Sequence, residues 1–153
     1  MFRTFMIGAV SALTLSAAAL AQQGGTPQEA RAMLDKAVAA VKADQAVALA
    51  TFLKGEGGFL DRDLYPFCFR NADGKLLVSP KAVPAGTDIR ALKDANGSAY
   101  GEAIYAAGQK PDGQITEVGP YLFPKPGTTT PTFPKISFVT KVGELGCGVG
   151  YYK

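Results

Sequence analysis

The chain has 153 residues, a net charge of +3, two cysteines, and neither histidine nor tryptophan. Without imidazole it has no means of building a Ser-His-Asp or Cys-His catalytic group, a histidine zinc site or a C-x-x-C-H haem attachment. Its lysines and arginines are scattered, which excludes the clustered basic footprint of a nucleic-acid or anionic-membrane binder.

Residues 1–21 read as a cleavable leader. Arg3 is their only charge, an apolar run spans Phe5 to Ala18, and Ala19-Leu20-Ala21 offers a small-x-small cleavage site before Gln22. The run is shorter than the roughly 20 residues that span a bilayer, so cleavage after Ala21 is favoured over a retained anchor. No later segment is apolar enough to cross a membrane. The expected mature chain, 22–153, loses Arg3 from a total of +3 and carries +2. Its length suits one domain with one modest core, placed in the periplasm or secreted.

Thr26-Pro27-Gln28-Glu29 is a helix start, with Thr26 as N-cap and Glu29 closing a capping box. Ala30, Leu34, Ala37 and Val41 then mark one helical face, widened by Met33 and Val38. Asp44 and Gln45 interrupt this pattern, and a second helix runs to about Leu53. Gly55-Glu56-Gly57-Gly58 ends the helical region and, with no Gly-Lys-Ser/Thr after it, is not a phosphate loop. Asp61-Arg62-Asp63 suggests paired carboxylates. Arg62 between them is a ready partner, however, and the favoured role is to brace the chain as it enters the first strand. Arg62 is also a candidate for a bidentate contact to a ligand carboxylate.

From Phe59 the period becomes that of a strand. Tyr65, Phe67 and Phe69 alternate with Leu64, Pro66, Cys68 and Arg70, and Pro66 belongs near the strand's start. Asn71–Gly74 is a turn, Lys75–Ser79 the returning strand, and Pro80–Asp88 a loop. Asp94–Gly97 is another turn, with Ser98 expected as N-cap of a short helix over Ala99–Ala107. The order of residues there does not match a calcium loop. Three more strands follow at Ile115–Phe123, Pro134–Val142 and Gly146–Tyr152, with a long loop at Pro124–Phe133. Helix, two strands, short helix and three strands predict an α+β domain with a five-stranded antiparallel sheet.

Cys68 and Cys147 permit one disulfide in an exported protein, yet each also sits in an apolar run where a free thiol packs as a small hydrophobe; both readings stand. Gly146, Gly148 and Gly150 alternate and leave one face of the last strand bare. The long N-terminal helix is expected to approach there first, a ligand second.

Several of these residues together resemble a known family. Gly58-Phe59-Leu60-Asp61-Arg62-Asp63-Leu64-Tyr65, Phe67 and Asp73-Gly74-Lys75 look like the opening of a single Cache domain of the second type. Leu92–Gly97, Tyr121-x-Phe123-Pro124-x-Pro126, Pro134-Lys135, Val139-x-Lys141-Val142-Gly143 and Gly148–Tyr152 continue the match through most of 27–153. The resemblance implies a PAS-like sheet that binds a small molecule outside the membrane, often a short organic acid such as acetate, propionate, pyruvate or lactate. Related domains form the sensor parts of chemoreceptors and histidine kinases; with no histidine, metal cluster or nucleophile motif in the sequence, neither an enzyme nor a cofactor is expected. With no output module in the sequence, a stand-alone member is expected, working through a membrane-bound transducer or another periplasmic protein. The alternative is an interaction subunit with a vestigial pocket. Two positions depart from the family: Ser79-Pro80 stands where His-Pro is frequent, and Phe123 where tryptophan is. Those changes imply a more apolar pocket, a different ligand or an unused site. The candidate ligand contacts are Lys135, which matches a recurrent lysine, then Tyr121, Phe123, Arg62, Tyr65 and Phe67. Ordinary core packing is the competing role for the aromatics, and a solvated strand-start position for the lysine.

Overall fold

The structure, a computed structural model, describes residues 24–153. The expected leader and its cleavage site at Ala21 lie outside the described residues. Among the described residues no helix is long and apolar enough to cross a membrane.

Helix α1 (Pro27–Ala43) starts as its sequence dictates. The Thr26 hydroxyl accepts from the Glu29 N–H, and the Glu29 carboxylate accepts from the Thr26 N–H at 2.8 Å. These bonds satisfy two otherwise orphaned donors of the first turn. Asp44 ends α1 and begins α2 (Gln45–Lys54): its N–H donates to the Ala40 carbonyl and its carboxylate accepts from the Val47 N–H at 3.0 Å. Gly55, at φ 67°, closes α2 in the left-handed conformation that favours glycine.

The sheet is antiparallel throughout, in the order β2-β1-β5-β4-β3. Its strands are β1 (Pro66–Arg70), β2 (Leu76–Val78), β3 (Thr116–Pro124), β4 (Thr132–Val142) and β5 (Leu145–Tyr152). A 3-10 turn at Ile89–Ala91 and helix α3 (Tyr100–Gly108) lie between β2 and β3. The predicted α+β fold is therefore the observed one. Strand β4 begins at Thr132, two residues before the predicted Pro134, because its first residues pair with Phe123 and Pro124. Ser98 does not cap α3. The N-cap is Ala99, with no side-chain bond, and Asp94 organises the turn instead, accepting from the Asn96 and Ser98 N–H groups at 2.9 and 3.0 Å. The other Asp94 oxygen accepts from Leu122 N–H on β3 at 2.9 Å. These backbone donors, Leu122 first, hold its carboxyl below the usual range.

The sheet separates two cores. On one face α1 packs Ala30, Leu34 and Ala37, all 0% exposed, against Cys68, Leu145, Cys147 and Val149. Cys68 and Cys147 stand opposite each other on β1 and β5 and are joined by a disulfide, with Cα atoms 4.2 Å apart. On the other face α3 and the turn before it cover Phe67, Phe69, Tyr121, Phe123 and Val139. This corrects the expectation for the glycine stripe. The long helix lies on the Cys147–Val149–Tyr151 side, away from the glycines. The bare face is filled by side chains of neighbouring strands: a Cβ on Gly146 would lie 2.2 Å from the Phe69 ring, and one on Gly148 would lie 2.5 Å from the Phe67 ring. Large rings on β1 and small residues on β5 are two halves of one packing solution.

Candidate ligand-binding site

The site lies on the α3 face and begins with an irregularity in β3. Val118 pairs with Ser137, but Tyr121 pairs with Lys135, so three steps on β3 match two on β4. The extra residue is a bulge at Gly119-Pro120. It reverses the phase of alternation, so Val118, Tyr121 and Phe123 all face the same core. A regular strand would send Val118 to the opposite side from the two aromatics.

Directly opposite residues of an antiparallel pair share a face. The register therefore sets Lys135 between Tyr121 on β3 and Tyr152 on β5, and Ser137 opposite Gly150. Gly150 is what admits the lysine chain: a Cβ there would lie 2.3 Å from Lys135 Cε and 2.7 Å from Ser137 Oγ. Lys135 is 2% exposed. Its Nζ donates to Tyr65 Oη at 2.9 Å and lies 4.5, 4.8 and 5.0 Å from the ring centres of Tyr65, Phe123 and Tyr152. Such rings attract a cation but supply no counter-charge. Among the described residues no carboxylate is within ion-pair reach of this ammonium. Asp63, the nearby acid, is engaged elsewhere, accepting from the Gly25 N–H at 2.6 Å and facing Lys125 Nζ at 3.4 Å. Burial therefore pulls the Lys135 ammonium down to about 7, with Asp63 opposing the shift.

A cavity of about 20 Å³ opens beside this lysine. Phe67, Tyr121 and Phe123 form its sheet side, Tyr100 and Ile104 of α3 its roof, and Pro80 with Val83 the loop side. Tyr100 stacks on Tyr121 with ring centres 4.3 Å apart, and Tyr121 Oη shares a 2.7 Å hydrogen bond with Ser137 Oγ. Burial pushes the Tyr100 hydroxyl up to about 12 and raises those of Tyr65 and Tyr121, so all three stay protonated at neutral pH. The result is an apolar cup lined by one lysine and two tyrosines, Tyr100 and Tyr121. It is suited to a small anion.

Of the residues singled out in the sequence, Lys135, Tyr121, Phe123 and Phe67 meet at this cavity. Tyr65 does not line it: its hydroxyl accepts from Lys135 Nζ, and the residue lines a separate, larger cleft. Arg62 is not brought to the cavity. It adopts φ 56°, costly for a non-glycine residue, and is held there by ion pairs to Glu29 at 2.7 Å and Asp61 at 3.0 Å. It also donates to the Gly24 carbonyl, so it braces the entry to both α1 and β1. The Arg62 guanidinium first, then the Thr26 N–H, draw the Glu29 carboxyl down to about 2.

Tyr152, Tyr100 and Ser137 belong to the site and were not found from the sequence, whereas Gly150 was singled out there only as part of the bare face of the last strand. Two of them left a signal. Tyr152 follows Gly150 by two residues and Ser137 follows Lys135 by two, so alternation already put each on its partner's face. Tyr100 left none, because its contact depends on where α3 docks. Tyr152 also donates its hydroxyl to the Pro124 carbonyl, which pins the end of β3 to β5.

Three solved structures share this architecture. One is a methyl-accepting chemotaxis protein from Vibrio parahaemolyticus, 22% identical, covering 82% of this chain and 86% of its own, with a TM-score of 0.62. A periplasmic sensor domain of a chemotaxis protein is 22% identical with a TM-score of 0.56, covering 82% of this chain and 88% of its own. A Cache chemosensory domain, described for its carboxylic acid recognition, is likewise 22% identical with a TM-score of 0.56, covering 82% of this chain and 86% of its own. At this identity they establish the shared fold. No curated protein matches the chain. The sequence matches the description of single Cache domain 2 over residues 7–152, a span that begins inside the expected leader. The chain belongs to the single Cache domain 2 family.

Proposed function

We propose that this protein is an extracytoplasmic sensor domain that binds a short organic acid, with the ligand carboxylate against Lys135 and Tyr121. The observation that carries the reading is the ammonium of Lys135, 2% exposed and without a carboxylate partner among the described residues. A buried charge is costly unless it is paired, and an incoming carboxylate supplies the missing partner. At about 20 Å³ the cavity takes roughly one water, so every acid considered needs more room than it offers. A two- or three-carbon acid requires the Pro80–Val83 segment to move outward. That motion is the change a membrane-bound transducer or other periplasmic partner would read.

The test is the melting temperature of the purified protein with acetate, propionate, pyruvate and lactate at millimolar concentrations, using wild type and Lys135→Met. A ligand that binds only the folded state raises the melting temperature. A rise with at least one acid, absent in Lys135→Met, supports the proposal. A flat response to all four sinks it. The narrowness of the cavity supports a second reading, an interaction subunit whose pocket is closed. That reading predicts the flat response, together with a specific partner bound in the absence of any acid.

A further inference from the structure

On the far side of Phe123 and Pro80 from the small cavity lies a second cleft of about 410 Å³. It is within the size range of clefts that hold drug-sized molecules. Its floor is apolar, built on Phe52 and Phe59, which pack edge to face with ring centres 4.5 Å apart. Leu53 and Leu60 stand at the edge, 62% and 52% exposed. Four cations line it, Lys54, Arg62, Lys81 and Lys125, and no Asp or Glu does. Arg62 and Lys125 spend charge on Glu29, Asp61 and Asp63. Lys54 and Lys81 have no carboxylate partner among the described residues.

An apolar trough with an unbalanced cationic rim is complementary to a molecule with an apolar body and an anionic head. We propose that this cleft is a second binding site, for an amphipathic carboxylate too large for the cavity at Lys135, such as a medium-chain fatty acid or an arylalkanoic acid. The tail covers Phe52, Phe59 and Leu60, and the carboxylate lies between Lys54 and Lys81. Burying the tail carbons supplies most of the affinity; the two lysines orient the head and screen out uncharged analogues. The site does not depend on the short-acid reading, since neither Lys54 nor Lys81 touches the inner cavity.

Octanoate is the probe, titrated into the purified protein by calorimetry, with octanol as the uncharged control. Wild type binds octanoate at least roughly tenfold more tightly than octanol, and the preference shrinks as salt rises. Lys54→Glu/Lys81→Glu loses roughly tenfold or more in octanoate affinity, while Lys54→Arg/Lys81→Arg retains it and Lys135→Met leaves it unchanged. Amide shifts on octanoate addition fall at 52–60 and 79–82. Absence of octanoate binding at millimolar concentrations overturns the proposal. So does octanoate binding that survives the charge reversal and disappears in Lys135→Met, which would place the fatty acid in the inner cavity.

Discussion

On the α1 side of the sheet, Cys68, Leu145, Cys147 and Val149 are all 1% exposed or less and are covered by the apolar stripe of one long helix. The polar group buried there, Thr140, donates its hydroxyl to the Gln114 carbonyl at 3.0 Å. On the α3 side the burial is as deep, but it includes an ammonium and the Tyr121–Ser137 hydroxyl pair, and a cavity remains. One face is closed by chemistry that wants no further partner. The other is left one counter-charge short. The contrast sets a closed core on the α1 side against the proposed binding cavity on the α3 side, with the same strands serving both because alternate residues point opposite ways.

The largest effect should come from opening the α1 face. The disulfide closes a loop across a sequence separation of 79. Cys68→Ala/Cys147→Ala should cost about 4 kcal/mol in urea unfolding on the chain-entropy account. An unchanged midpoint relative to the oxidised wild type would show that this face holds without its bond. Leu34→Ala, at a fully buried helix position, should cost about 3 kcal/mol and leave the acid-dependent rise in melting temperature intact. Loss of that rise in a still-folded Leu34→Ala would break the division of labour between the faces.

Changes on the α3 face should run the other way. Lys135→Met keeps the volume and removes a buried unpaired charge, so it should stabilise the apo protein by about 1–3 kcal/mol while abolishing acid binding. A destabilised variant would mean that the ammonium is better satisfied than its surroundings suggest. The pH dependence has the same origin. In the folded protein Lys135 titrates near 7 rather than at the ordinary 10.5. Between those values the unfolded chain binds the extra proton, so stability should rise with pH from about 7 toward 10.5 and the rise should vanish in Lys135→Met. Carboxylate binding needs the protonated form and should weaken above about pH 7, by up to about tenfold per pH unit. Equal affinity at pH 6 and pH 9 would count against the ammonium as the ligand's partner. The smallest stability effect should belong to Gly150→Ala. Its new methyl would sit 2.3 Å from Lys135 Cε. We expect about 1 kcal/mol of destabilisation and roughly a tenfold loss of acid affinity, read by the same melting assay.

Some of this was determined by the sequence alone. The capping box at Thr26, the switch from a period near 3.6 to a period of 2 after Phe59, and the glycine–aspartate turns depend on neighbours only a few residues apart. Helix and strand order, and with it the α+β class, were therefore legible. So was the unusual setting of Lys135, a lysine in an apolar strand, which the structure buries. Tertiary structure decided the rest. Which face α1 covers, how the β3 bulge turns Tyr121 and Phe123 toward Lys135, and that Phe67 and Phe69 fill the space over the β5 glycines all depend on pairing across strands far apart in the chain. Alternation shows that Gly150 and Tyr152 share a face, but only the register shows that this face holds a lysine. A period-two pattern carries no information about its partner strand, and a candidate site assembled from four strands is a property of the pairing.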